Sequence, residues 1–393
     1  MIKIPENWQL MKLGDCCEII LGSTPQRNKK EYWDGDIPWV TPKDLSHLNQ
    51  PVLEDTPEKI TEAGYKSCST SLLPQGSILF SSRAPIGYVA IVGKPMCTNQ
   101  GFKSLIPGKN VYSPYLYWCM KKYTPNIQAL GTGTTFKEVS KGVIEKFEIP
   151  IPPIEEQRRI AEILDQADGL RRKRQEAIRL TEELLRATFL DMFGDPVTNP
   201  KGWEISPLGE IAQFIGGGTP SRKNPNYFEG NICWATSKDM KPDILMDTEE
   251  HITEEAIKNS ATKLVSPECL LIVVKSKILL RRLPVARAVV PICFGQDLKA
   301  IIPFEKSMNR YLHRHLIFGE KFLLRQARGV NTEGLTLEHL RSYPVMIPPQ
   351  SAIHRFVELD INCEKRFQLL ESFNKAAENL FNSLLQRAFR GEL

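Results

Sequence analysis

Pro152-Pro-Ile-Glu-Glu-Gln-Arg-Arg-Ile160 opens a run that closes in Phe193-Gly-Asp-Pro196. The prolines suit a helix entrance, and Glu155 and Glu156 put negative charge in a first turn, where the helix dipole favours it. Apolar or small residues then recur at Ile160, Ile163, Ala167, Leu170, Ala177, Thr181, Leu184 and Thr188, with Arg174 off the pattern. Alternating steps of three and four predict a coiled-coil seam rather than a broad core face. Gly194 and Pro196 stop the helix. About 38 residues make a rod of about 57 Å. A seam that long needs a partner.

The same chain supplies one. Pro348-Pro349 begins a second run with Ile353, Phe356, Cys363, Phe367, Leu370, Ala377, Phe381, Leu384 and Ala388 on its apolar side, closing in Phe389-Arg-Gly-Glu-Leu393. Pro152 and Pro348 lie 196 residues apart, as do Phe193 and Phe389. Residues 8–45 align without a gap on residues 203–240, and 15 of the 38 pairs are identical, where background composition gives about two or three. The chain is therefore a tandem duplication. Frequent glycine and proline, with strand-like runs such as Ser77–Ser81, Tyr88–Val92, Cys269–Val274 and Ala286–Ile292, predict an α+β head in each repeat. Helical patterns are expected around Pro114–Lys122 and Asn309–Gly319. The expected layout is a head over 1–152, a spacer helix over 153–195, a second head over 196–347 and a second spacer helix over 348–393.

A net charge of +5 permits a nucleic-acid partner without requiring one. Nine cysteines without paired CxxC spacing suggest free thiols in a reducing compartment. With no apolar signal segment or membrane-length apolar run, a cytoplasmic location and no membrane partner are expected.

Two similar heads held apart by helices suit the reading of two separated features on one extended object, and DNA is the natural candidate. Polar loops recur in both heads. The first offers Ser23, Thr24, Thr41, Lys43, Ser81, Ser82, Arg83, Asn99, Gln100, Lys103, Thr132, Thr134 and Lys137. The second offers Thr219, Arg222, Thr236, Lys238, Lys275, Lys277, Arg281, Arg282, Gln296, Lys299, Arg328 and Asn331. Hydroxyls, amides and cations of this kind suit phosphates and base edges. The run Arg171-Arg-Lys-Arg174 reads as a solvated helix flank. Heads that bind two protein segments, making the chain a scaffold, are the bland alternative.

The duplication also tests catalytic motifs. Phe214-Ile-Gly-Gly-Gly218 and Asn224-Pro-Asn-Tyr227 resemble methyltransferase motifs, yet the first repeat has Ile19-Ile-Leu-Gly-Ser23 and Lys29-Lys-Glu-Tyr32 there, and the spacing leaves no room for a nucleotide-binding unit. Pro242-Asp243 with Asp297 and Lys299 suggests a nuclease, but Gly101 aligns with Asp297. His313 and His315 sit two apart on a helix and point apart. No catalytic residue and no metal set is expected. The enzyme alternative, a chain that itself methylates or cuts DNA, has no motif to carry it.

The order of motifs resembles the specificity subunit of type I restriction–modification systems over the whole chain. Carrying the resemblance are the Trp8 and Trp203 openings with Leu13-Gly14 and Leu208-Gly209, Trp39-Val-Thr-Pro-Lys-Asp44 with Trp234-Ala-Thr-Ser-Lys-Asp239, Asn99-Gln-Gly-Phe-Lys103, Gly131-Thr-Gly-Thr-Thr135, the Pro152 motif and the terminal Phe-Arg-Gly-Glu-Leu. The resemblance implies a non-catalytic reader of a bipartite, asymmetric target in double-stranded DNA, with an antiparallel coiled-coil spacer fixing the gap. It further implies two docked methyltransferase subunits that modify adenine N6, and translocase–endonuclease subunits. Adenosylmethionine, ATP and magnesium then belong to those partners, with no cofactor in this chain. The second repeat departs from the pattern at Pro348-Pro-Gln-Ser-Ala-Ile-His354 and at Val274–Arg282.

Overall fold

The computed structural model describes residues 5–133, 137–327 and 334–393. In the first repeat β-branched and aromatic runs form ten strands: β1 (Gln9–Lys12), β2 (Cys17–Leu21), β3 (Trp33–Val40), β4 (Val52–Leu53), β5 (Lys59–Ile60), β6 (Ile78–Ser82), β7 (Ile86–Val92), β8 (Cys97–Thr98), β9 (Lys103–Pro107) and β10 (Glu148–Ile151). The second repeat gives ten more: β11 (Glu204–Pro207), β12 (Ala212–Gly216), β13 (Ile232–Ala235), β14 (Ile244–Leu245), β15 (Glu250–Ile252), β16 (Cys269–Val273), β17 (Val285–Ala288), β18 (Ile292–Phe294), β19 (Leu298–Pro303) and β20 (Pro344–Ile347). The strand expected over 286–292 is thus split between β17 and β18.

Topology repeats with the sequence. The first head has a five-stranded sheet β2-β9-β6-β7-β4, a three-stranded sheet β5-β3-β8 and the pair β1-β10; the second has β12-β19-β16-β17-β14, β15-β13-β18 and β11-β20. Each strand of the first head recurs ten strands later with the same neighbours. Even the parallel pairings β3–β8 and β4–β7 return as β13–β18 and β14–β17. The central strands β6 and β16 are buried at every position. Helix α1 (Ser113–Ala129) packs on the first sheet, and its counterpart α3 (Met308–Phe318) on the second. The two long runs are single helices, α2 (Ile154–Phe193) and α4 (Gln350–Ala388).

Packing divides the chain into two compact units, residues 1–177 with 370–393, and residues 178–369. Each therefore holds one head and a part of both long helices. In the first unit Ile160, Ala161 and Leu164 of α2 join Phe381 and Ala388 of α4, with Phe389, around Trp8, Tyr115 and Trp118. The Pro152 motif has a structural explanation here. Gln157, wholly buried, accepts from the Tyr112 N–H at 2.7 Å and donates to the Asn110 and Pro152 carbonyls at 2.9 Å each. Trp8 Nε1 donates to Glu156 at 3.1 Å, so the helix start is locked to its head. Ile353 occupies the position of Gln157 in the second repeat and is buried among apolar side chains.

In the second unit Leu185, Phe189 and Phe193 of α2 meet Ile353 and Phe356 of α4 and Tyr311 of α3. Phe189 and Phe193 are fully buried, each contributing about 1.5–3 kcal/mol relative to exposure. Within each unit the two helices run antiparallel, early residues of one beside late residues of the other.

The buried stripe of α2 differs from the expected seam. Leu170 and Leu184 are 53% and 59% exposed, whereas Leu164, Leu185 and Phe189 are buried. Near its ends α2 covers a head core as well as its partner helix, and that broad face follows the bulkiest side chains, one position round from the 3.5-residue seam. On α4 the expected positions, from Ile353 to Ala388, are all at least half-buried. The run at 171–174 is also more engaged than a solvated flank. Arg171 and Arg172 both bind Asp168 at 2.7 Å, Arg174 donates to the Phe373 carbonyl at 2.8 Å, and Arg171 lies over the Phe381 ring.

Candidate nucleic-acid interface

In the first head β2 runs into the loop carrying Ser23 and Thr24. Gly22 passes so close to the carbonyls of Thr98 and Asn99 that any side chain there would collide with them. The Ser23 N–H donates to the Thr98 carbonyl at 2.9 Å, and the Trp39 indole N–H donates to the Ser23 carbonyl at 3.1 Å. Thr24 donates to the Gln100 side chain. Thr41 caps the short helix Pro42–Ser46 through Asp44, at 2.7 Å from its N–H and 2.8 Å from its hydroxyl, which leaves Lys43 exposed on that helix. Asn99 is turned inward, its Oδ1 accepting the Gly101 N–H at 2.8 Å. Ser23, Thr24, Thr41, Lys43, Asn99 and Gln100 therefore gather on one set of loops.

A second group lies along 81–83, 131–133 and 137–138. Arg83 and Thr132 both bridge to Glu138. Three expected contacts are turned to the frame. Ser81 donates to the Pro85 carbonyl at 2.8 Å and Ser82 to the Gly101 carbonyl at 3.1 Å, both wholly buried. Lys103 is buried and its ammonium lies 2.6 Å from Glu138. Hydroxyls on a buried strand satisfy the backbone before any ligand. Lys137 is exposed beside them, and Thr134 lies outside the described residues.

The second head repeats the arrangement. Gly217 approaches the Phe294 and Gly295 carbonyls too closely for a side chain, the Gly218 N–H donates to Phe294 at 2.9 Å, and the Trp234 indole donates to Gly218 at 3.1 Å. Thr236 binds Asp239 at 2.8 and 2.9 Å, and Lys238 is exposed beside it. Thr219, Gln296, Lys275, Lys277 and Arg281 are exposed, while Arg282 donates to the Met240 carbonyl at 3.1 Å. Lys299 occupies the place of Lys103. Gly334 stands where Glu138 does, and no ion pair of Lys299 exists among the described residues. Arg328 and Asn331 lie outside them.

One feature of both heads escapes single-residue reading. Arg27 makes a two-pronged pair with Glu58 at 2.6 and 3.0 Å and lies over Trp33 and Trp39, 4.1 and 4.7 Å from their ring centres. Arg222 does the same with Glu250, over Phe228 and Trp234. Each clamp pins the loop of Thr24 or Thr219 to the small sheet. Arg222 belongs to the expected set and Arg27 does not, although the two align at the same offset as the tryptophans.

The rejected motifs have structural roles. His313 and His315 are buried; His315 lies 3.0 Å from the Tyr343 hydroxyl and accepts the Met346 N–H at 3.1 Å, and burial lowers the pKa of both rings, His315 to about 3. Asp243 pairs with Arg314 at 2.7 Å. Among the described residues no helix is long and apolar enough to cross a membrane.

Comparison with known proteins finds relatives over the whole chain. The family model described as "Type I restriction modification DNA specificity domain" matches twice, over residues 5–180 and 200–359. The MjaIX type I restriction enzyme specificity subunit of Methanocaldococcus jannaschii is 32% identical, over 100% of this chain and 94% of that protein. The crystal structure of a type I restriction–modification S subunit from M. genitalium shares the fold with a TM-score of 0.65 at 14% identity, over 99% of each chain. A chain from a structure concerned with complex assembly and conformational transition of the type I R-M system matches at a TM-score of 0.54 and 20% identity, over 100% of each chain.

Proposed function

Because the chain belongs to the type I restriction–modification DNA specificity family, we propose that it reads a bipartite, asymmetric target in double-stranded DNA, one part with each head, and performs no chemistry itself. The observation that carries this reading is the recurrence, at corresponding positions of both heads, of an exposed Lys beside a capped Thr, a hydroxyl loop and an aromatic-backed arginine. Exposed lysines suit phosphates and set register, while the amides and hydroxyls beside them suit base edges.

On this reading the helices shared by the units set the gap between the two parts of the target. Two methyltransferase subunits dock on the chain and use adenosylmethionine to modify flipped-out adenines at N6. Translocase–endonuclease subunits supply the ATP- and magnesium-dependent cleavage. The test is co-purification with a methyltransferase subunit, followed by mapping of N6-methyladenine in DNA exposed to the complex. Exchange of residues 1–150 for those of a relative is expected to change one side of the methylated motif and leave the other intact. Methylation indifferent to either head would overturn the reading.

A further inference from the structure

The two heads differ at one small cluster, and the difference has a chemical direction. In both, an Asp in the turn before the outer strand of the small sheet accepts the next residue's N–H: Asp55 from Thr56 and Asp247 from Thr248, each at 2.9 Å. In the first head that carboxylate faces two fixed cations, Lys59 at 3.2 Å and Lys94 at 3.1 Å, and Pro38 is the register partner of Lys59. In the second head all three neighbours are replaced. His251 stands for Lys59, Val290 for Lys94 and Cys233 for Pro38. Both lysines are gone, the carboxylate is kept, and a thiol and an imidazole have appeared beside it.

Their geometry is that of ligands converging on a point. Cys233 on β13 and His251 on β15 are direct antiparallel register partners, so their side chains leave the same face side by side. Asp247, four residues before His251, reaches in from the loop. His251 Nε2 lies 2.8 Å and Cys233 Sγ 3.6 Å from Asp247 Oδ1, and one ligand atom from each residue falls within 4.8 Å of the others. Cys233 and His251 are half-buried and Asp247 exposed, so a fourth position opens to water.

We propose that Cys233, Asp247 and His251 form a site for a borderline-soft divalent cation of the zinc class, which takes the place filled in the first head by Lys59 and Lys94. A thiolate, an imidazole and a carboxylate with one open position match zinc and cobalt(II), whereas magnesium and calcium prefer all-oxygen sets. The ion would tie β13 to β15 at the rung next to Trp234 and Glu250, which hold Arg222. It would thereby brace a recognition loop from behind the sheet.

Titration of the metal-stripped chain with cobalt(II) is the test. The expected result is a thiolate-to-cobalt charge-transfer band that saturates at a single equivalent and is displaced by zinc(II). Cys233→Ser removes the band, Cys363→Ser retains it, and His251→Lys weakens cobalt binding by more than about tenfold. The last variant restores the residue with which the first head folds, so its circular dichroism should match the parent. No band in the parent, or a band that survives both Cys233→Ser and His251→Lys, overturns the proposal.

Discussion

Lys43 is exposed on a short capped helix and Lys238 in the matching turn after Thr236, which makes them the cleanest phosphate candidates. Replacing either by Ala is expected to weaken binding to every sequence alike and to flatten the slope of log affinity against log salt by about 0.9. Binding isotherms at several salt concentrations check this; a change confined to the target sequence would make these residues readers of bases. Gln157 offers the opposite case. Gln157→Ala removes a wholly buried amide and strands the half-buried Tyr112 N–H and two carbonyls, a loss of about 1–3 kcal/mol for groups left without their partner. Urea unfolding should register it as a lower midpoint with DNA affinity per folded molecule unchanged. Ser81, Ser82 and Lys103 show what residue type leaves out, since it announces a donor but not which way the strand turns it. Arg27 is within reach of the same reading, because it aligns with Arg222 at the offset that pairs the tryptophans.

Beside its apolar contacts, the α3–α4 packing in the second unit carries buried ion pairs, joined by Arg287 of β17. Arg310 and Arg314 bind Asp360 at 2.9 and 2.8 Å, and Arg287 and Arg310 share Glu364. Burial raises the pKa of Asp360, but Arg314 and Arg310 outweigh it and hold the carboxyl below its ordinary value. A depressed folded value contributes stability that is present above the unfolded pKa of about 3.9 and is lost as pH falls through the folded one. Helical circular dichroism should therefore fall on acidification below about pH 4, and Asp360→Asn should be less stable at pH 7 yet flatter in that window. Asp360→Ala, which leaves Arg314 without its buried partner, is expected to cost about 3–5 kcal/mol. None of this was legible beforehand: helical period and caps reveal a long helix, but Asp360, Arg310 and Arg314 read as solvated until a neighbour covers them. The same limit displaced the α2 stripe, for a seven-residue pattern cannot tell that Phe189 meets Tyr311 rather than only the other helix.

The duplication was fully legible because it is written as identity at a constant offset, and topology follows sequence strand for strand. If the shared helices set the gap in the DNA target, inserting four residues into both α2 near Lys173 and α4 near Leu370 should lengthen the unread interval of the methylated motif while preserving both of its read ends. Mapping of methylated sites decides it, and an unchanged interval removes the helices from that role. The division into units has a further consequence, for biosynthesis. Residues 178–369 are contiguous, so the second unit is complete in the nascent chain as soon as they have left the ribosome. The first unit must wait for Leu370–Leu393, which supplies Phe381, Ala388 and Phe389 to its core. The head translated first is thus finished last, and until then the buried faces of Trp118 and Tyr115 stand open to solvent or to a chaperone.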